Sequence, residues 1–215
     1  MTIREKKQQF EAQLPNGIYE SSKLTFCGVE KYTVYNCSIP FHWNGRTYIY
    51  GRVEKFDLWA QSFVCLFEMI EPNTYMLVRN SFPIALEDPY ISIIQGEFVL
   101  GGTHVRKQLG QIDTYYGYFY RGSGPDDLIY FTTGPDYMKD IRLVDMADGT
   151  IGVFSRPRNS EKYGSESLIG FTRIHSLDEL SSKIIENAEP IPDLFAFGEW
   201  GGCNQAYLLQ NGKLV

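Results

Sequence analysis

A polar residue, a short apolar run, a tight glycine turn and a second apolar run recur four times along this chain. The copies begin at Asn36, Asp88, Asp140 and Asn204 and turn at Gly45, Gly96, Gly149 and Gly212, so each leading residue lies eight or nine positions before its glycine. Those glycines are 51, 53 and 63 residues apart, a period that fits propeller blades and exceeds that of helical solenoids. Asn-Gly and Asp-Gly between apolar runs predict two-residue hairpin turns. Two further strands fit behind each hairpin, at 63–67 and 75–78 in the first repeat and at 115–120 and 128–131 in the second. Four antiparallel strands per unit, set radially, protect sheet edges. The expected fold is all-β.

Two segments depart from the repeat. Ser176-Leu177-Asp178-Glu179 is a capping box leading into 180–186, which predicts one short helix between the third and fourth repeats, packing Leu180 and Ile184 on a blade. The stretch 4–10 reads as a polar lead-in. After Gly212 only Lys213, Leu214 and Val215 remain, so the sequence is expected to stop inside its fourth repeat. Residues 1–215 are read as one incomplete propeller domain, and assembly with a second copy stays open as a way to complete the ring.

Composition narrows the function classes. A net charge of -6 argues against nucleic-acid backbone binding, which needs clustered Lys and Arg. No apolar stretch is long enough for a transmembrane helix and no signal segment opens the chain, so no membrane partner is expected. Cys27, Cys37, Cys65 and Cys203 lack metal-type spacing; reduced thiols in a cytoplasmic protein, with no metal and no cofactor, are the expectation.

In a propeller the innermost strands line a central channel, so residues at one register in successive blades converge on one mouth of it. That places Asn36, Asp88, Asp140 and Asn204 together. Arg52, Thr103 and Arg156 each stand seven residues after a turn glycine and would bring cations to the same funnel. Two carboxylates across a sugar-sized gap can cleave a glycosidic bond. Asp88 with Asp140 or Glu199 fits that requirement; the alternative is that these aspartates only bond loop backbone. Arg52, Lys139 and Arg156 either bind an anionic group or pair with Glu54, Asp140 and Glu199. His104 either contacts substrate or is hydrogen-bonded structurally, and Trp200 either stacks on a sugar or plugs the channel mouth.

These residues also carry a resemblance. Glu87-Asp88-Pro89-Tyr90 resembles the Glu-Asp-Pro-Arg strand start of the five-bladed propeller enzymes of glycoside hydrolase family 130, the mannoside phosphorylases and mannosidases. Lys139-Asp140 and Ser155-Arg156-Pro157 are similar to their Lys-Asp and His-Arg-Pro strands. Over nearly its whole length the chain resembles most closely a bacterial propeller family related to those enzymes that carries no established reaction. The resemblance implies a five-bladed β-propeller broken off in its fourth blade, acting on a carbohydrate in its funnel. It makes Asp88 the general acid; the residues themselves add Asp140 or Glu199 as the second carboxylate, and Arg52, Glu54, His104, Lys139, Arg142, Arg156, Trp200 and Asn204 as substrate contacts. Tyr90 replaces the motif's arginine, and Ser155 stands where the phosphorylases hold phosphate with a histidine. Those departures favour hydrolysis of a manno-oligosaccharide over phosphorolysis. The competing expectation is a non-catalytic propeller that binds a sugar or a protein.

Overall fold

The computed structural model describes residues 1–13, 18–57, 61–158 and 167–215. Each of the first three echoes becomes an inner strand and its hairpin partner, and each pair is extended outward into a sheet. In the first sheet the inner position is shared by β2 (Thr33–Tyr35) and β3 (Phe41–Trp43), which pair with opposite ends of β4 (Arg46–Glu54). Beyond β4 come β5 (Ser62–Glu71), β6 (Thr74–Leu77) and the parallel edge strand β1 (Thr25–Cys27). The second sheet is an antiparallel meander of β7 (Glu87–Ile94), β8 (Glu97–Gln108), β9 (Gln111–Gly122) and β10 (Ile129–Thr133). The third repeats that order with β11 (Arg142–Asp145), β12 (Ile151–Ser155), β13 (Gly170–Ile174) and β14 (Glu189–Pro190). The described chain is thus nearly all-β and propeller-like.

The turns follow the sequence reading in part. Asn44 (φ 47°) with Gly45, and Gln95 (φ 49°) with Gly96, both occupy the left-handed region, as a two-residue turn that matches strand twist requires. The third turn is longer than expected. Met146 N donates to Thr150 O at 2.8 Å and Gly149 N to Met146 O at 3.0 Å, so Gly149 closes a three-residue loop and Asp148 instead caps Thr150. The fourth hairpin closes through Tyr207 and Val215, each N–H donating to the other's carbonyl.

Packing between sheets supplies the core. Ile91, Phe98 and Leu100 of the second sheet meet Phe41, Tyr50, Val64 and Leu66 of the first. On the opposite face Tyr90, Ile94, Val99 and Phe119 meet Ile141, Leu143, Ile151 and Val153 of the third. The strand β7 therefore sends alternate side chains into two layers, as the period of two demands.

The helical segments differ from expectation. Residues 4–10 belong to a helix, α1 (Ile3–Gln13), none of whose residues is buried. The capping box gives a single 3-10 turn (Leu177–Glu179) and then α2 (Ser182–Glu186). Ser176 makes no side-chain cap; Glu179 instead accepts from His175 N at 3.1 Å. The break shifts the buried face, so that Leu180 and Ile185 are fully packed and Ile184 only partly.

Candidate functional site

The inner strands are interrupted at one common level. Asn36, Asp88 and Asp140 have φ of 46°, 51° and 59°, a left-handed conformation that asparagine and aspartate adopt more readily than other non-glycine residues. At Asp88 the β7–β8 ladder slips between Glu87 and Tyr90, a bulge of the kind that re-aims side chains. The result is a polar cavity of about 390 Å³ into which Asn36, Asp88, Asp140 and Asn204 all open. The convergence expected from the repeat is what the fold delivers.

Asp88 is held through one oxygen. Its Oδ1 accepts from Asn36 Nδ2 at 2.7 Å and from an Arg52 guanidinium nitrogen at 3.0 Å. Arg52 lies behind the cavity wall and also pairs with Glu54 at 2.8 Å and Glu87 at 3.0 Å. Glu54 in turn accepts from Tyr35 and Ser62. Burial pushes the Glu54 carboxyl up, but the bonds from Tyr35, Ser62 and Arg52 bring it below its ordinary value overall. Burial raises Glu87, against the opposing pull of Arg52. Tyr35 is pushed up to about 12, by burial first and then by its bond to Glu54. Three carboxylates thus converge on one guanidinium; among the described residues no three His, Cys, Asp or Glu side chains are grouped as metal ligands.

Across the cavity wall the charges balance differently. Arg156 donates to Asp140 at 2.6 Å and to Ser167 Oγ at 3.0 Å, with its guanidinium 5.3 Å from the Trp200 ring centroid. The Gly201-Gly202 backbone lies directly on this pair, since a Cβ on Gly202 would stand 2.7 Å from Asp140 Oδ2. Arg142 has no carboxylate partner among the described residues. It donates to the carbonyls of Asn204 (2.5 Å) and Ile141 (3.0 Å) and sits 4.5 Å over the Tyr90 ring. The Tyr90 ring needs a glycine opposite it, as a Cβ on Gly101 would come within 2.1 Å. Lys139 also lines the cavity, in no hydrogen bond or ion pair among the described residues. Two cations that form no ion pair among the described residues therefore share a space with Asp88, although the charge of Lys139 acts on Glu87.

The structure brings together Asp88, Asp140, Lys139, Arg142, Arg156, Trp200 and Asn204. Arg52 and Glu54 stand in the layer behind Asp88. Two candidates lie elsewhere. Glu199 does not line the cavity; its carboxylate accepts from Ile3 N at 2.8 Å and Ala196 N at 3.1 Å, tying the start of α1 to an irregular segment. His104 bonds Ala85 O at 2.9 Å and stacks on Tyr118 at 4.7 Å. Ser155 is fully buried with its hydroxyl unpartnered among the described residues, and it too is absent from the lining. Cys37 and Cys203, which the sequence reading left as plain thiols, do line the cavity. Their proximity to Asn36 and Asn204 in the chain was the available signal.

A family model described as "Protein of unknown function (DUF1861)" matches residues 8–215. Among solved structures, a mannose phosphorylase from Leishmania mexicana, in complex with phosphate ion, is 51% identical with a TM-score of 0.90, over 99% of this chain and 64% of that one. A GDP-Man-dependent mannosyltransferase from the same organism is 43% identical with a TM-score of 0.88, over 100% of this chain and 66% of that one. A hypothetical protein from Leishmania major is 50% identical with a TM-score of 0.84, over 97% and 65%. The chain thus spans just under two thirds of the length of these relatives. A family 117 glycoside hydrolase from Zobellia galactanivorans shares only the fold, at 12% identity and a TM-score of 0.53 over 81% of this chain and 61% of that one. No curated protein sequence matches. Among the described residues no helix is long and apolar enough to cross a membrane.

Proposed function

This chain belongs to the DUF1861 family, and from that premise we propose that it is a carbohydrate-active protein whose funnel breaks a mannosidic bond with inorganic phosphate as the second reactant, or in reverse forms one from a sugar 1-phosphate with release of phosphate. In that reading residues 1–215 belong to a five-bladed ring, a count that rests on the family 130 resemblance. Asp88 is the proton donor: it lines the cavity, and Asn36 and Arg52 fix one of its carboxyl oxygens. A phosphate oxygen attacks the anomeric carbon, the glycosidic C–O bond breaks, and the leaving oxygen takes the Asp88 proton, yielding a sugar 1-phosphate.

The observation that carries this reading is that Arg142 and Lys139, which form no ion pair among the described residues, line the cavity with Asp88. A buried guanidinium and an ammonium with spare donors suit a phosphate dianion. Hydrolysis, the expectation from Ser155, needs a second carboxylate to activate water. Asp140 pairs with Arg156 at 2.6 Å as Asp88 pairs with Arg52 at 3.0 Å, so the choice of Asp88 as the donor rests on the family 130 resemblance and the preference for phosphate on the two cations. Ser155 is not in the lining, so its difference from histidine does not bear on the anion. The identities to a mannose phosphorylase and a mannosyltransferase support the sugar class.

The test is phosphate-dependent turnover of manno-disaccharides, followed as sugar 1-phosphate. Asp88→Asn is expected to lower the rate about 10²–10⁴-fold with the unfolding temperature unchanged. Arg142→Gln is expected to abolish the stabilisation by phosphate. Cleavage that runs equally well without phosphate would replace this reading with hydrolysis.

A further inference from the structure

We propose that a groove between the first and second sheets, separate from the cavity, is a second carbohydrate site that holds a neutral oligosaccharide. The groove encloses about 700 Å³, within the range of small-molecule clefts and large enough for several sugar rings. It opens beside Trp43 and Asn44, at the turn end of the inner strand that begins near Asn36. Among the described residues none lines both the groove and the cavity.

Its chemistry is the reverse of the cavity's. Trp43, Tyr48, Tyr120 and Phe82 supply aromatic rings from three separate parts of the chain. Such rings offer flat apolar faces to the C–H faces of a sugar, and tyrosine adds a polar tip. Phe82 is 89% exposed at the rim, a large ring left in water in the linker from β6 to β7. Between the rings stand Asn44, Asn80 and Asp126, whose amides and carboxylate can bond hydroxyl groups. Among the described residues no lysine or arginine lines the groove. An anionic ligand is therefore unfavoured, whereas a neutral polyhydroxylated chain with alternating apolar faces and hydroxyl edges matches both kinds of wall. Phosphate belongs in the cavity, beside the bond to be broken; the groove holds uncharged glycan without acting on it. The choice of a mannose-based probe rests on the proposed function, but the assignment to neutral glycan rests on the groove alone.

Electrophoresis of the intact chain through native gels containing soluble mannan, without phosphate, tests the assignment. Retardation is expected. It should persist in Arg142→Gln, which removes the phosphate contact of the cavity, and weaken about tenfold in Phe82→Ala/Asn80→Ala. Because both substituted residues lie in a loop, the variant should keep the parent unfolding temperature; Asp126→Asn provides a second groove variant if it does not. An unretarded parent chain, full retardation of both groove variants, or loss of retardation in Arg142→Gln would each overturn the proposal. Absent phosphorolysis would overturn the cavity reading and leave this result untouched.

Discussion

Asp88 commits one carboxylate oxygen to Asn36 and Arg52, and its orientation depends on a guanidinium that is itself only 7% exposed. Arg52→Met would leave Glu54, Glu87 and Asp88 facing each other with their cation gone. Removing one partner of a buried ion pair costs about 3–5 kcal/mol, and a urea midpoint at pH 7 should fall accordingly. The loss should depend on pH. Glu54 lies below its ordinary value, so its contribution is present above its unfolded-state value and disappears as pH falls through the folded one. Glu87, raised by burial, has the opposite sign, favouring the fold at low pH and less so as pH rises. Loss of Arg52 lets both carboxyls keep their protons to higher pH in the variant than in the parent, so acid relieves the repulsion and narrows the gap between them at pH 4, and a gap that widened there would contradict the network. The thiols give a second check at this scale: burial pushes Cys37 and Cys65 up to about 11. A thiolate reagent at pH 8 should modify them about a hundredfold more slowly than an ordinary cysteine near 9, and at the ordinary rate once the chain is unfolded.

At the scale of the element, the hairpins were legible because a period-two pattern and a turn residue fix register together. Asn36, Asp88 and Asp140 could be placed for the same reason, each being counted back from a turn glycine. Glu199 could not, since the irregular segment around it has no ladder to relate spacing to position. The groove was equally hidden, as its walls come from four stretches that no local pattern connects. Gln95 shows what a turn can add. It holds φ 49°, its N–H donates to Asp145 at 3.0 Å, and its side-chain amide reaches Gly149 O at 3.2 Å and His175 O at 2.8 Å. The second sheet is thereby latched to the third. Gln95→Ala keeps the left-handed backbone but loses the latch, and should cost about 1 kcal/mol at this exposed site. Gln95→Gly loses the same bonds yet relieves the strain, by about 1 kcal/mol, and should unfold close to the parent. Chemical denaturation of the two variants separates latch from strain.

For the whole molecule, β7 decides whether the sheets behave as one. Its side chains enter both inter-sheet layers, Ile91 toward the first sheet and Tyr90 and Ile94 toward the third, and its bulge carries Asp88. The cavity draws on all three sheets, with Asn36 from the first, Asp88 from the second, and Asp140 with Arg142 from the third. A site assembled this way exists only while both layers are intact. Ile94 is fully buried, and Ile94→Ala should cost about 2–5 kcal/mol. If the sheets are coupled through β7, that loss lowers the stability of the first sheet as well, although Ile94 does not belong to its layer. Denaturation followed by circular dichroism and by tryptophan fluorescence should then shift as one transition, since Trp43 packs against the layer between the first two sheets and Trp200 sits at the cavity mouth by the third. Phosphate should raise both signals together by binding the folded state alone. Two transitions, with only one moved by phosphate, would mean that the third sheet unfolds separately, and the cavity would then open before the rest of the chain lost its structure.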